Sequence, residues 1–206
     1  AADEVVIINS RDKKSIEAHF EPNPTLEAEL RGRGKDTFAD AVAYAGNLHV
    51  SYVYQDEPLG LGHAIHCAAD EVADEPFFVL LGDVIVPDNQ ILIDMKQVSD
   101  EHNGASVIAV MPVEADEVNR FGIIAGDEVK PGVWKISSMV EKPAVEQAPS
   151  NLAIFGRYLL TPRVMELLAE VKPGAGGEIQ LTDALDALLA EEDMYALIID
   201  PADGFD

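Results

Sequence analysis

The chain has 206 residues, with 38 Asp or Glu against 14 Lys or Arg and a formal net charge of −24 at neutral pH. A field of that sign, with an isoelectric point near 4.3, argues against a sequence-independent grip on nucleic acid or on an anionic membrane, since both need clustered positive charge. Hydrophobic residues at 48% supply material for one sizeable core, so the chain reads as one large folded domain or at most one with a small appendage. Cys67 stands alone and closes no internal disulfide, and neither a leader pattern nor an apolar stretch of about 18 residues occurs within residues 1–206, so the expected setting is the cytoplasm.

In chain order, Glu4 to Ile8 is a short β-branched run that predicts a strand. Lys13 to Phe20 changes to helical spacing through Ile16 and Phe20, and residues 22–46 read as two short helices around the Gly32-Arg33-Gly34 break. His49 to Gln55 alternates as a strand with Val50, Tyr52 and Tyr54 on one face, then enters the turn-like Asp56-Glu57-Pro58-Leu59-Gly60. Ile65, Ala68, Ala69 and Val72 predict one helix over 62–72, and the uninterrupted apolar run Phe77 to Leu81 predicts a strand buried on both faces. A helix through Ile91, Leu92, Met95 and Val98 and a strand from Ala105 to Met111, closed by Pro112, continue the alternation, which predicts a parallel, helix-covered sheet.

Beyond Pro112 the rhythm changes. Phe121 to Ala125, a Gly126-Asp127 turn and Val133 to Glu141 are expected as antiparallel strands layered onto that sheet. Asn151 to Leu160 reads as a further strand, Pro162 to Glu170 as a helix with proline in its first turn, and Ile179 to Ala190 as a helix with Leu181, Ala184, Leu185, Leu188 and Leu189 in its apolar stripe. Tyr195 to Ile199 is the last strand. The predicted class is mixed α/β, with a mostly parallel, Rossmann-like sheet flanked by helices.

Asp83 follows Leu80-Leu81-Gly82 at the carboxyl end of a predicted strand, where open α/β sheets bind ligands. A carboxylate there can hold a divalent cation together with substrate phosphates, or simply cap a turn. Gly60-Leu61-Gly62-His63-Ala64 lies where a strand hands over to a helix, and its glycines either admit a ligand to the backbone or make a plain tight turn. Gln55, ending the upstream strand, can read a base through its amide or rest in solvent. Glu141-Lys142-Pro143 ends another strand, and in a chain short of cations its lysine is a candidate partner for a polyphosphate, against the alternative of a solvated ion pair. His63, His66 and Cys67 lack recurring zinc spacings and are expected in packing or surface roles, and no Gly-x-Ser-x-Gly elbow supports a serine nucleophile.

Together these segments resemble the bacterial UTP–glucose-1-phosphate uridylyltransferases, also called UDP-glucose pyrophosphorylases, of the sugar-nucleotidyltransferase superfamily. The likeness is carried by Gln55 through Ala64 (QDEPLGLGHA), Leu81 to Val84 (LGDV), Val140 to Pro143 (VEKP), Ser150 to Tyr158 (SNLAIFGRY) and Gly176 to Ala184 (GGEIQLTDA). It implies the nucleotide-diphospho-sugar transferase fold, with residues 1–112 as a nucleotide-binding part and 113–206 as a sugar-binding part of one domain. It also implies Mg²⁺ as cofactor, UTP and glucose 1-phosphate as substrates, and a homodimer or homotetramer. By the same resemblance Gln55 and Gly60 recognise the pyrimidine, Asp83 and Asp206 hold Mg²⁺, and Glu141 and the Gly122 backbone contact the sugar. Lys142 contacts the sugar phosphate, and Glu178 and Asp183 take supporting roles. Lys142 and Asp83 are then the catalytic pair. The alternatives are a thymidylyltransferase or a non-catalytic nucleotide- or sugar-binding scaffold.

The family's first strand, its glycine-rich loop with Thr-Arg and Pro-Lys, and its closing helix find no counterpart in residues 1–206. Glu4 to Ile8 resembles the family's second strand, so the sequence reads as an excerpt, expected to be inactive by itself.

Overall fold

A computed structural model describes residues 4–72, 74–86, 88–174 and 177–200. Two units, Ala1–Pro58 and Leu59–Asp206, are each internally packed. In the first, strands β1 (Val5–Asn9) and β2 (Val50–Tyr54) pair in parallel from Val5 against Val50 to Asn9 against Tyr54. Parallel strands need a crossover, and three helices supply it: α1 (Lys14–His19), α2 (Pro24–Gly32) and α3 (Asp36–Gly46). Helix α2 starts where sequence rules place a start, with Asn23 accepting from the Leu26 amide and Pro24 at its first position.

The second unit begins with α4 (Leu61–His66), α5 (Ala69–Val72), β3 (Phe77–Leu80), α6 (Gln90–Glu101) and β4 (Ser106–Pro112). It continues with β5 (Gly122–Lys130), β6 (Val133–Glu141), β7 (Leu152–Leu160), α7 (Arg163–Glu170), α8 (Leu181–Leu189) and β8 (Met194–Ile198). Six strands form one sheet in the order β3-β7-β4-β8-β6-β5. Strand β5 also pairs with β7 through Ile123 against Ala153 and Ile124 against Leu152, so five of the strands close into a small barrel-like ring. Alternation along β4 divides the core: Ile108 and Val110 face a cluster with Leu168 of α7 and Leu185 and Leu188 of α8, whereas Val107 and Ala109 face Ile91, Met95 and Val98 of α6. All nine residues of β7 are buried, which makes it the spine of the unit.

Several expectations change. Only β1–β2 and β4–β8 are parallel, and the other five described pairings are antiparallel, so the sheet is mixed rather than mostly parallel. The reason is β7, which returns late in the chain and inserts between β3 and β4, two strands that the periodicity alone would pair directly. β3 is accordingly half-buried, and among the described residues it pairs only with β7; Leu80 remains 50% exposed. The predicted Gly126-Asp127 turn is instead a bulge inside β5, where a β-carbon on Gly126 would collide with the Lys135 carbonyl, and the chain reverses at Pro131-Gly132 with Gly132 at φ +76°. The helix expected over 62–72 is two, because the Cys67 amide is shared between the His63 and Ala64 carbonyls and Ala68 donates to Ile65, three residues back, which tightens the backbone there. No helix among the described residues is long and apolar enough to cross a membrane.

Candidate active site

The site grows from the end of β3. Where β4 runs beside β7, Ala109 alone stands between the pairs Ile108–Tyr158 and Val110–Ile154, so Phe155, Gly156 and Arg157 bulge out of register. Gly156 has φ +66°, and a β-carbon there would lie 2.9 Å from Val84 Cγ2 and 3.0 Å from Leu81 Cδ1. Only glycine lets the bulge and the 81–84 turn approach so closely. The Leu81 amide donates to the Gly156 carbonyl at 3.0 Å. Arg157, 6% exposed, then reaches across: Nη1 donates to the carbonyls of Leu81 (2.9 Å) and Gly156 (3.0 Å), and Nη2 to that of Val84 (2.6 Å). Burial pulls its guanidinium below the usual range, and the negative charge of Asp83 opposes that. Asp83 itself is exposed and lines a cavity of about 160 Å³; no donor among the described residues reaches its carboxylate.

The facing wall comes from the β5–β6 hairpin. Gly122 pairs with Glu141, and a β-carbon on Gly122 would sit 2.9 Å from Ile154 Cδ1 and 3.1 Å from Glu141 Oε2. Glu141 Oε2 accepts a 2.7 Å hydrogen bond from Thr182 Oγ1, in the first turn of α8, which leaves Oε1 3.7 Å from Lys142 Nζ. Lys142 adopts φ +43°, unusual for a residue with a side chain, and its amide donates to the Phe121 carbonyl at 3.0 Å. Arg120 and Phe121 line the same cavity. Tyr158, also in the lining, is pushed well above the usual phenol range by burial and then by the Glu141 charge.

Asp83, Gly122 and Glu141 therefore meet around one cavity, with Lys142 adjoining through Glu141. Gly60 is not among the lining residues: it has φ +102°, and what approaches its backbone and that of Gly62 is the 178–180 segment, with the Ile179 carbonyl 2.8 Å from a β-carbon at either glycine. The Ile179 amide donates to Leu59 and the Gly62 amide to Ile179, a short two-way ladder. Gln55 lies half-buried at the end of β2 in the other unit, its backbone N–H donating to the Asn9 carbonyl. Asp206 lies outside the described residues. His63 and His66 sit on α4 with Cys67 at its cap, and no group of three or more His, Cys, Asp or Glu side chains among the described residues is placed to hold a metal.

Mg²⁺ prefers hard oxygen donors and commonly takes one or two carboxylates plus substrate phosphates. Asp83, which lines the cavity with no donor among the described residues on its carboxylate, fits that donor chemistry. Reading the sequence residue by residue did not single out Arg157 or Thr182. A signal for Arg157 existed, because a lone arginine inside the apolar run 152–160 must bury its charge among partners. Thr182 had none, since its partner lies 41 residues away.

A family profile described as nucleotidyl transferase matches residues 1–203, and the chain belongs to that family. Within it, the chain is 43% identical to the UTP–glucose-1-phosphate uridylyltransferase of Streptococcus pneumoniae serotype 4 over 94% of its own length and 67% of the relative's. It is 41% identical to a protein of the same name from Bacillus subtilis strain 168, over 94% of this chain and 67% of that one. Among solved structures, a UDP-glucose pyrophosphorylase complexed with UDP-glucose superposes with a TM-score of 0.83 at 34% identity, covering 96% of this chain and 73% of that chain. A UTP-bound UGPase from Acinetobacter baumannii gives 0.79 at 32% identity, covering 95% and 69%. The mixed α/β fold is thus that of a nucleotidyltransferase.

Proposed function

We propose that this chain carries out the reaction for which its relatives are named, transfer of UMP from UTP to glucose 1-phosphate, giving UDP-glucose and pyrophosphate. The observation that carries the reading is the cavity where Asp83, Gly122, Glu141 and Thr182 meet, lined also by Arg120, with Lys142 beside Glu141, in a chain otherwise strongly anionic. Glu141 accepts from the sugar hydroxyls, the Gly122 backbone contacts the sugar, and Lys142 pairs with the sugar phosphate. Gln55 reads the pyrimidine through its amide and Gly60 through its backbone. Asp83 and Asp206 are the proposed ligands of Mg²⁺, which when bound supplies charge neutralisation and Lewis acidity at the phosphates.

The glucose 1-phosphate oxygen forms a bond to the α-phosphorus of UTP while the bond from that phosphorus to the bridging oxygen breaks, and the electron pair leaves with pyrophosphate. The substrate is its own nucleophile, so alignment and charge screening are the work left to side chains. A lysine about 4 Å from a phosphate charge contributes roughly 4 kcal/mol at an effective dielectric near 20. In this reading residues 1–112 serve the nucleotide and 113–206 the sugar, in a cytoplasmic homodimer or homotetramer.

Initial rates of pyrophosphate release with UTP or dTTP as competing donors test the assignment. UTP is expected to dominate in the full-length gene product, and equal use of dTTP would overturn the uridylyl reading. Residues 1–206 contain no Thr-Arg or Pro-Lys pair to grip a triphosphate, so this stretch alone is expected to release no measurable pyrophosphate; comparable turnover would refute that.

A further inference from the structure

We infer that Arg157 is a positioning residue for Asp83: its guanidinium, donating to the carbonyl oxygens of Leu81, Val84 and Gly156, sets the turn that presents the Asp83 carboxylate to the cavity. The inference rests on the reading of Asp83 as a metal ligand and goes beyond it, because Arg157 itself is absent from the cavity lining.

A buried charge on a strand of apolar neighbours weakens a fold unless its donors are all engaged, and an apolar side chain would usually serve the core better. Here no carboxylate among the described residues lies within ion-pair distance of Arg157, so a simple salt bridge does not account for it. Three hydrogen bonds instead tie it to both ends of one four-residue turn and to the bulge that faces it. Within that turn, the backbone amide of Val84 reaches the Leu81 carbonyl at 3.3 Å, a long bond that would hold the loop weakly by itself. The planar fork of an arginine spans Leu81 and Val84 at once, which a lysine's single nitrogen cannot do in the same geometry. Asp83 lies between those two anchors, so its direction follows from theirs. The negative charge of Asp83 also offsets part of the cost of burying the Arg157 guanidinium. Residues that orient a metal ligand in this way typically change metal affinity about 10- to 100-fold when removed.

The test uses the full-length protein with UDP-glucose present, so that no turnover occurs, and reads Mn²⁺ binding from the electron paramagnetic resonance signal of the free ion. Asp83→Asn is expected to weaken Mn²⁺ binding at least about tenfold, Arg157→Met about tenfold, and Leu188→Ala, a core truncation away from the turn, less than about twofold. UDP-glucose affinity without metal should stay within about twofold in Arg157→Met. If Asp83→Asn weakens binding and Arg157→Met does not, the positioning role is wrong while the metal reading stands. If Asp83→Asn has no effect, the metal reading fails and takes this inference with it. An equal loss in Leu188→Ala would reduce the Arg157 effect to general loosening and overturn the inference. Should Arg157→Met not fold, Arg157→Lys decides, since it keeps the charge without the fork: a folded variant with weakened Mn²⁺ binding supports the role, and wild-type binding overturns it.

Discussion

Replacing Thr182 with valine deletes one hydroxyl and keeps the branched shape, so the packing at the start of α8 survives while Glu141 loses its donor. A hydrogen bond to an ionised acceptor contributes about 1.5–3 kcal/mol. The Glu141 side chain is 27% exposed, so water replaces part of the lost bond and the lower end, about 1.5 kcal/mol, is the expected cost. The released carboxylate also has somewhere to go: Lys142 Nζ is already 3.7 Å from its other oxygen, and closing that distance turns Glu141 away from the cavity. If Glu141 holds sugar hydroxyls, KM for glucose 1-phosphate should rise about tenfold, while KM for UTP stays within about twofold. Initial-rate kinetics on the full-length protein, varying each substrate with the other saturating, separate the two. In a cycle with Glu141→Ala the effects should be less than additive, because both variants remove the same bond. An unchanged KM for glucose 1-phosphate, or an equal rise for both substrates, would refute the reasoning.

Two further outcomes follow from the neighbouring geometry. Gly156→Ala places a β-carbon at positive φ and within 3.0 Å of Leu81 and Val84, at a combined cost of about 2–4 kcal/mol, so the midpoint of thermal unfolding should fall by roughly 5–15 °C; an unchanged midpoint by circular dichroism would show that the turn yields freely. Tyr158 is pushed above the usual phenol range by burial, so the folded state keeps a proton that the unfolded chain releases above about pH 10. Stability is therefore fully present below that pH and falls as pH rises beyond it, by up to about 1.4 kcal/mol per pH unit from this group, and Tyr158→Phe should flatten the alkaline limb of a urea-denaturation series. An identical slope in wild type and variant would remove Tyr158 from the account.

The elements were legible because they are local. Asn23 and Pro24 mark the start of α2, the stripe through Leu181, Leu185 and Leu188 marks α8, and the alternation of β2 marks a strand. The same rules misplaced the hairpin turn, since Gly126 looks like a turn glycine in a list of residues and only its collision with the Lys135 carbonyl identifies a bulge. They also misjudged β3. An apolar run reports that a strand forms; which strands flank it depends on a partner far along the chain, Leu160 against Phe77 among its pairs.

The candidate site divides along the same line. Asp83, Glu141 and Lys142 stand out from residue type, position after strand ends and ordered blocks, and Gly122 through the family resemblance alone. Arg157 and Thr182 act on residues 73 and 41 positions away, through Val84 and Glu141. Chemistry and local conformation are properties of residue type and short spacing, so the amino-acid order determined the helices, the strands and most candidate ligands. Strand order, the bulge that seats Arg157, and the donor left to each carboxylate depend on distances between segments remote in the chain, and only closure of the sheet decides those.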